Sequence, residues 1–235
     1  MKDIELSPRL FAIAQEVTQG ARLADIGTDH AYLPIALLQE GRITAAIAAD
    51  VNEGPLSRGR AAAEAQGISG ISFRCCDGLT GISPEETDTV VIAGMGGDTI
   101  RHILGGVPWS KNQGLRYLLQ PMSSVPELRQ WLSCSGFRIE KEILVREEEK
   151  LYVVFVVCSG KGEHYSFGEL WAGKQREGME GAHRRDYLDD LIDRRSRALT
   201  GLQQAKGGRE ADIAETQQVL EELRQLREEW ILWQQ

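Results

Sequence analysis

Sulfur and aromatic side chains are scarce in this sequence, and so are long hydrophobic runs. Of 235 residues only 6% are aromatic, four are cysteine and four are histidine. Cys75, Cys76, Cys134 and Cys158 form no CxxC pair, and no histidines stand at a metal-ligand spacing. Neither a metal site nor a disulfide framework is therefore expected. The longest apolar run, at 151–158, is strand-sized and far short of the ~20 residues that cross a bilayer, so no membrane partner is expected. The opening MKDIELSPRL lacks the apolar core of a signal peptide, which points to a reduced, cytoplasmic chain. Positive charge is also in deficit: the net charge is −8, against a DNA-coating protein. An enzyme that grips RNA through one local basic patch stays open.

What is present is enough for one substantial domain and an appendage, with 42% hydrophobic and 26% charged residues. Up to about residue 160, short apolar runs alternate with helix-length segments. The runs at 22–26, 43–49, 71–75, 89–93 and 115–119 read as strands. Helices are expected over 32–39 and 53–66, from the glycine cluster after 93 through Leu104, and near 127–134. Segments 137–145 and 151–158 read as a closing antiparallel pair around the charged turn 147–150. Strands separated by helices imply βαβ units, and near-continuous apolar strands imply cover on both faces. The expected fold is α/β and doubly wound, a mostly parallel sheet with an antiparallel last strand.

Composition changes near Gly160. Residues 161–182 read as an irregular linker. Leu188, Leu191, Arg195, Ala198, Leu202 and Ala205 then recur at spacings of three and four, and so do Val219, Leu223, Leu226, Trp230 and Trp233 beyond the turn at 206–209. That pattern predicts an antiparallel helical hairpin with a coiled-coil-like seam. The expected division is a catalytic domain over 1–160, then linker and hairpin over 161–235. Residues 183–209 carry a net charge of +3 and residues 210–235 a net charge of −5. Two solvated faces would explain this, and so would a basic arm that tracks a phosphate backbone.

Ligands of open α/β sheets bind beyond the carboxyl ends of the strands. Those ends carry Asp25-Ile26-Gly27-Thr28-Asp29-His30, Asp50, Asp77-Gly78 and Gly94-Met95-Gly96-Gly97. A dinucleotide site needs G-x-G-x-x-G so that backbone amides can approach a pyrophosphate. Here Asp29 occupies the second glycine position, where a carboxylate would repel phosphate. S-adenosylmethionine has no phosphate and carries a sulfonium and an ammonium, both of which a carboxylate attracts. Gly27 then lets the chain turn closely past the cofactor. Asp50, with its neighbour Val51, stands where an acid accepts from ribose hydroxyls, Asp77 where one accepts from the adenine amine, and Gly78 admits the ring.

LSPRL at 6–10, ADIGTDHAYLP at 24–34, the aspartates 50 and 77, AGMGG at 93–97 and QP at 120–121 together resemble the bacterial tRNA (adenine-N1)-methyltransferases acting at position 22. The resemblance extends over the whole chain, and the DxGTDHAYLP and AGMGG strings are its specific part. It implies a Rossmann-like class I methyltransferase fold, S-adenosylmethionine as cofactor and tRNA as partner. It also implies that Gly27, Asp29, His30, Asp50, Asp77, Gly94 and Met95 line the cofactor site, with Arg9 at its mouth available to RNA, although Arg9 could equally pair with an acid of the domain. Two positions depart from the family. Met122 stands where Asn usually follows QP, and Glu169 where Pro often follows Phe-Gly.

An N/D-P-P-Y/F string is missing after the fourth strand, which argues against exocyclic N6 chemistry and leaves a ring nitrogen plausible. Attack by adenine N1 needs no strong base, but the product ring is cationic. Asp29 is the candidate catalytic carboxylate, and capping the next helix is its ordinary alternative. Glycines 94, 96 and 97 are expected to leave room for a flat base. Arg184, Arg185, Arg194, Arg195 and Arg197 are the candidate RNA contacts. Two other readings stay open: a methyltransferase on a non-RNA substrate, and a non-catalytic methyltransferase-like interaction module.

Overall fold

The computed structural model describes residues 4–176, 179, 181–205 and 209–234. Helix α1 (Pro8–Glu16) precedes a seven-stranded sheet of β1 (Ala21–Ile26), β2 (Ile43–Asp50), β3 (Ile71–Cys75), β4 (Thr89–Gly96), β5 (Arg116–Ser123), β6 (Phe137–Glu147) and β7 (Lys150–Ser159), in the order β3-β2-β1-β4-β5-β7-β6. Helices α2 (Tyr32–Gln39), α3 (Glu53–Ala65), α4 (Gly97–Gly105) and α5 (Val125–Cys134) connect the strands. β1 to β5 are parallel, and β7 runs antiparallel to both β5 and β6.

Successive side chains of a strand point to opposite faces, and here both faces are buried. Val90, Ile92, Leu119 and Phe155 pack beneath α4 and α5 through Ile100, Leu104, Leu128 and Leu132. Their neighbours Val91, Leu118, Val154 and Val156 lie on the other face with Leu23, covered by Ile13, Leu33 and Leu37 of α1 and α2. The strand order reverses at β1, with β2 on one side and β4 on the other. That switch point opens the crevice in which such sheets bind ligands.

Several elements depart from expectation. β4 and β5 continue past the apolar runs, so that the glycine cluster is paired strand as far as Gly96 against Ser123, with breaks in register between Ala93 and Gly96. α1 was not anticipated. Its N-cap is Ser7, whose hydroxyl accepts from the Leu10 amide, and Pro8 opens its first turn. Within the segment expected to be irregular lies a short helix, α6 (Phe167–Ala172), started by a capping box between Ser166 and Glu169. The departure from Phe-Gly-Pro thus supplies a helix start.

Helices α7 (Arg184–Gln204) and α8 (Glu210–Trp233) form the hairpin. The Asp189–Arg227 pair places the start of α7 beside the end of α8, as antiparallel helices require. Leu188, Leu191, Val219, Leu223 and Trp230 pack with Ala172 and with Leu144 and Leu151 of the sheet. Trp233 is not in this seam: it is 37% exposed, past the last turn that has a partner. Of the tip expected at 206–209, residues 206–208 lie outside the described residues. Among the described residues no helix is long and apolar enough to cross a membrane.

Candidate active site

β1 ends at Ile26 and the chain turns at Gly27 with φ +74°, held to β2 by its N–H on the Ala49 carbonyl at 2.8 Å. The positive φ strains any side chain there, and the Met95 methyl occupies the space that a Cβ would take. The β1 and β4 turns therefore interlock. Asp25 is buried, and burial pushes its carboxyl up to about 6. Asp29 is exposed and already paired, 2.7 Å from the Arg58 guanidinium and 3.6 Å from His30 Nε2. His30 and Ala31 both have positive φ, and the His30 ring stacks on Tyr32 at 5.0 Å. Non-glycine residues in that conformation cost energy, and such strain concentrates at functional sites.

Asp50 and Asp77 follow on the adjacent strands, with Asp50 paired in register to Cys75. One Asp50 oxygen accepts the Asn52 amide at 2.7 Å, and Val51 beside it is exposed. The exposed Asp77 makes no side-chain hydrogen bond among the described residues, although its backbone carbonyl accepts from the Thr80 hydroxyl. Gly78 follows with φ +54°, over the Ile103 side chain.

Gly94, also at φ +74°, is the one glycine of its cluster that looks onto open space. The expectation that Gly96 and Gly97 make room for a base is corrected. A Cβ on Gly97 would fall 2.5 Å from the Ser124 carbonyl oxygen, and one on Gly96 would fall 3.1 Å from Ser123 Oγ. Those two glycines admit the neighbouring β5 end instead. The Gly94 amide donates to Gln120 Oε1 at 3.1 Å, and the same oxygen accepts from Arg9 Nη1 at 3.1 Å.

Of the two readings of Arg9, RNA contact or a pair with an acid of the domain, the structure shows the second, and its donors are committed inside the protein. It binds Glu147 through Nε at 3.0 Å and Nη2 at 2.9 Å, lies over the Tyr152 ring at 4.5 Å and reaches Met122 Sδ at 3.2 Å. The bond from Arg9 holds the Glu147 carboxyl below its usual range. Gln120, Glu147 and Tyr152 were missed as site residues. A glutamine closing an apolar strand was the available signal for the first.

From Pro121 and Met122 a cleft of about 610 Å³ runs between the start of α5, the β6–β7 turn and α7. The Arg146–Asp186 pair at 2.6 Å ties the sheet to the hairpin along its wall. Of the arginines expected to meet RNA, Arg184 is corrected: it is 2% exposed and its guanidinium is spent on the Ala172 and Gly173 carbonyls and on Gln175. Arg195 is half-buried over the Trp171 ring at 4.0 Å. Arg185, Arg194 and Arg197 are exposed along α7, each within reach of an aspartate one turn away.

S-adenosylmethionine fits this donor set. The strand ends offer acceptor carboxylates to hydroxyl, amine and cationic groups, and open backbone at Gly94. Asp29 stands where a pyrophosphate would have to lie.

Residues 6–155 match the family described as a methyltransferase domain. The tRNA (adenine(22)-N(1))-methyltransferase of Bacillus subtilis is 37% identical over 161 residues, covering 68% of each chain. The crystal structure of the B. subtilis m1A22 tRNA methyltransferase TrmK superposes with a TM-score of 0.83 at 29% identity, over 95% of this chain and 99% of that one. The structure of M. capricolum TrmK in complex with S-adenosyl-homocysteine, its natural cofactor product, gives 0.78 at 27% identity, over 95% and 98%.

Proposed function

This chain belongs to the tRNA (adenine(22)-N(1))-methyltransferase family, and from that premise we propose how its strand-end pocket carries the reaction. It methylates N1 of an adenine in tRNA with S-adenosylmethionine as donor. The carrying observation is the pair of interlocked turns at Gly27 and Gly94, ringed by aspartates at three strand ends. Bound there, S-adenosylmethionine supplies an electrophilic methyl group on a sulfonium sulfur.

The site residues take their roles from this placement. Asp50 and Val51 hold the ribose; Asp77 and Gly78 receive the adenine; Gly27, His30 and Met95 shape the methionine end. The open backbone at Gly94 lets the target base approach. The protein's main task is to bring N1 in line with the methyl group, within about 3–3.5 Å. A paired or stacked base must first leave its stack, at a cost of a few kcal/mol. Asp29 stabilises the positive charge that develops on the ring, moderated by its Arg58 partner. Residues 1–160 bind cofactor and perform the chemistry. Residues 161–235 seat the tRNA, with Arg185, Arg194 and Arg197 along α7 against phosphates. The cytoplasm, where tRNA is found, is the compartment we propose.

The test is nucleoside mass mapping of unmodified tRNA incubated with the protein and donor. One methyl group on N1 at position 22 is the expected product, and donor turnover without labelled tRNA overturns the reading. Asp29→Ala is expected to lower turnover more than about tenfold at saturating donor. Unchanged turnover removes Asp29 from the chemistry.

A further inference from the structure

We propose that Gln120 is a positioning residue: oriented by Arg9, it locks the Gly94 turn in the shape that receives the reacting groups. Gln120 is 1% exposed within β5, three residues before its end, and every polar atom of its side chain is engaged. Oε1 accepts two hydrogen bonds, from the Gly94 amide and from Arg9 Nη1, each at 3.1 Å. Nε2 donates to the Pro121 carbonyl at 2.9 Å and to Met122 Sδ at 3.5 Å. Turning the amide over would set its NH2 against two N–H donors and its oxygen against a carbonyl. One orientation survives, and the charged partner strengthens it.

Arg9 is fixed in turn from two sides, by the forked pair to Glu147 before the β6–β7 turn and by the Tyr152 ring. The chain of bonds thus runs from α1 and the β6–β7 hairpin through Gln120 to a single backbone amide. That amide belongs to a residue with positive φ and nothing packed on its outer side, so the neighbouring packing does not hold it. Met95 comes next and fills the notch at Gly27. Releasing the Gly94 amide therefore frees both turns of the pocket. Met122 fits the same design. Its sulfur takes two N–H donors in place of the family's asparagine, and its exposed side chain lines the cleft.

Two readouts test this, one of which needs no cofactor. In the free protein, Gln120→Leu is expected to speed hydrogen exchange of the Gly94 amide at least about tenfold while the Val91 amide in mid-strand stays protected. With donor and tRNA, the same change is expected to lower kcat about 100-fold with both KM values within about threefold, a consequence that rests on the methyl-transfer reading above. Gln120→Glu keeps acceptors for Arg9 and Gly94 but sets its second oxygen against the Pro121 carbonyl, so it is expected to recover only part of both losses. If Gln120→Leu does not fold, Arg9→Met removes the orienting charge from a surface helix and is expected to move the two readouts in the same direction. Unchanged Gly94 exchange, or a loss of global stability with kcat intact, overturns the positioning role. Altered exchange in a protein that never methylates tRNA upholds the lock and strikes the function instead.

Discussion

The carboxyl ends of β1–β4 and the joint between sheet and hairpin treat charge in opposite ways. At the strand ends, Asp50 and Asp77 retain carboxylate oxygens with no protein partner among the described residues. At the joint, Arg129 is fully buried, forked onto Glu142 at 3.0 and 2.6 Å, bonded to the Leu170 carbonyl and set over the Phe155 ring. Arg184 repeats the pattern on the carbonyls of Ala172 and Gly173, two and three residues after Leu170. Hydrogen-bonding capacity left free at the surface is available to a ligand. Capacity used up in the interior fixes one element against another. The contrast separates residues whose loss weakens binding from residues whose loss weakens the fold.

The largest effect is expected at the joint. Glu142→Ala leaves the Arg129 guanidinium buried without its carboxylate, and breaking a buried pair from one side costs about 3–5 kcal/mol. Urea unfolding measures it. A loss below about 1 kcal/mol would mean that Arg129 finds water or another acceptor, and the contrast between the two regions would fail.

Asp25 sharpens the comparison, since it belongs to the pocket by sequence and to the interior by burial. Its carboxyl, raised from 3.8 to about 6, binds a proton more tightly folded than unfolded. Its contribution to stability is therefore fully present below pH 4 and is lost as pH rises through 6, by about 3 kcal/mol in all. Asp25→Asn is expected to remove this decline, so that the stability gap between variant and parent opens between pH 4 and 6. Parallel stability curves would place Asp25 in contact with solvent. Asp77→Asn is the opposite case, with stability unchanged within about 0.5 kcal/mol and donor affinity lowered about tenfold by calorimetry.

The sheet was legible because burial on two faces writes itself into the chain as apolar runs. Helix α2 and strand β3 match their expected bounds, and the 43–49 run gains only Asp50. The strand-end aspartates were legible for a related reason, since ligand groups sit where strands stop. Elements held by tertiary contact were not. α6 has six residues, too few to be stable alone, and is secured by the Gly168 amide on Glu222 of α8 at 2.6 Å. Arg9 and Arg184 look like surface cations in the sequence, because nothing local reveals that Glu147 and the α6 carbonyls lie 138 and 11 to 12 residues away. A guanidinium can be read as charged from its letter alone, but its partner is set by the fold.

The smallest effect expected separates the arginines that remain on the surface from the one that does not. Arg197 touches only the Asp193 backbone carbonyl, at 3.4 Å, and has no carboxylate partner among the described residues. If it meets a tRNA phosphate, Arg197→Ala should reduce the slope of log affinity against log salt by about 0.7–0.9, with a loss of a few-fold at physiological salt. Arg185 and Arg194, each beside an aspartate, should contribute less per residue, because the acid already supplies part of the neutralisation. Arg184→Met should leave the slope untouched and lower the melting temperature, since its partners are carbonyls in the interior. Filter-binding titrations over a range of salt concentrations measure all four. Should Arg184→Met flatten the slope while Arg197→Ala does not, the charge gradient along α7 would concern folding alone, and the tRNA would have to be seated elsewhere.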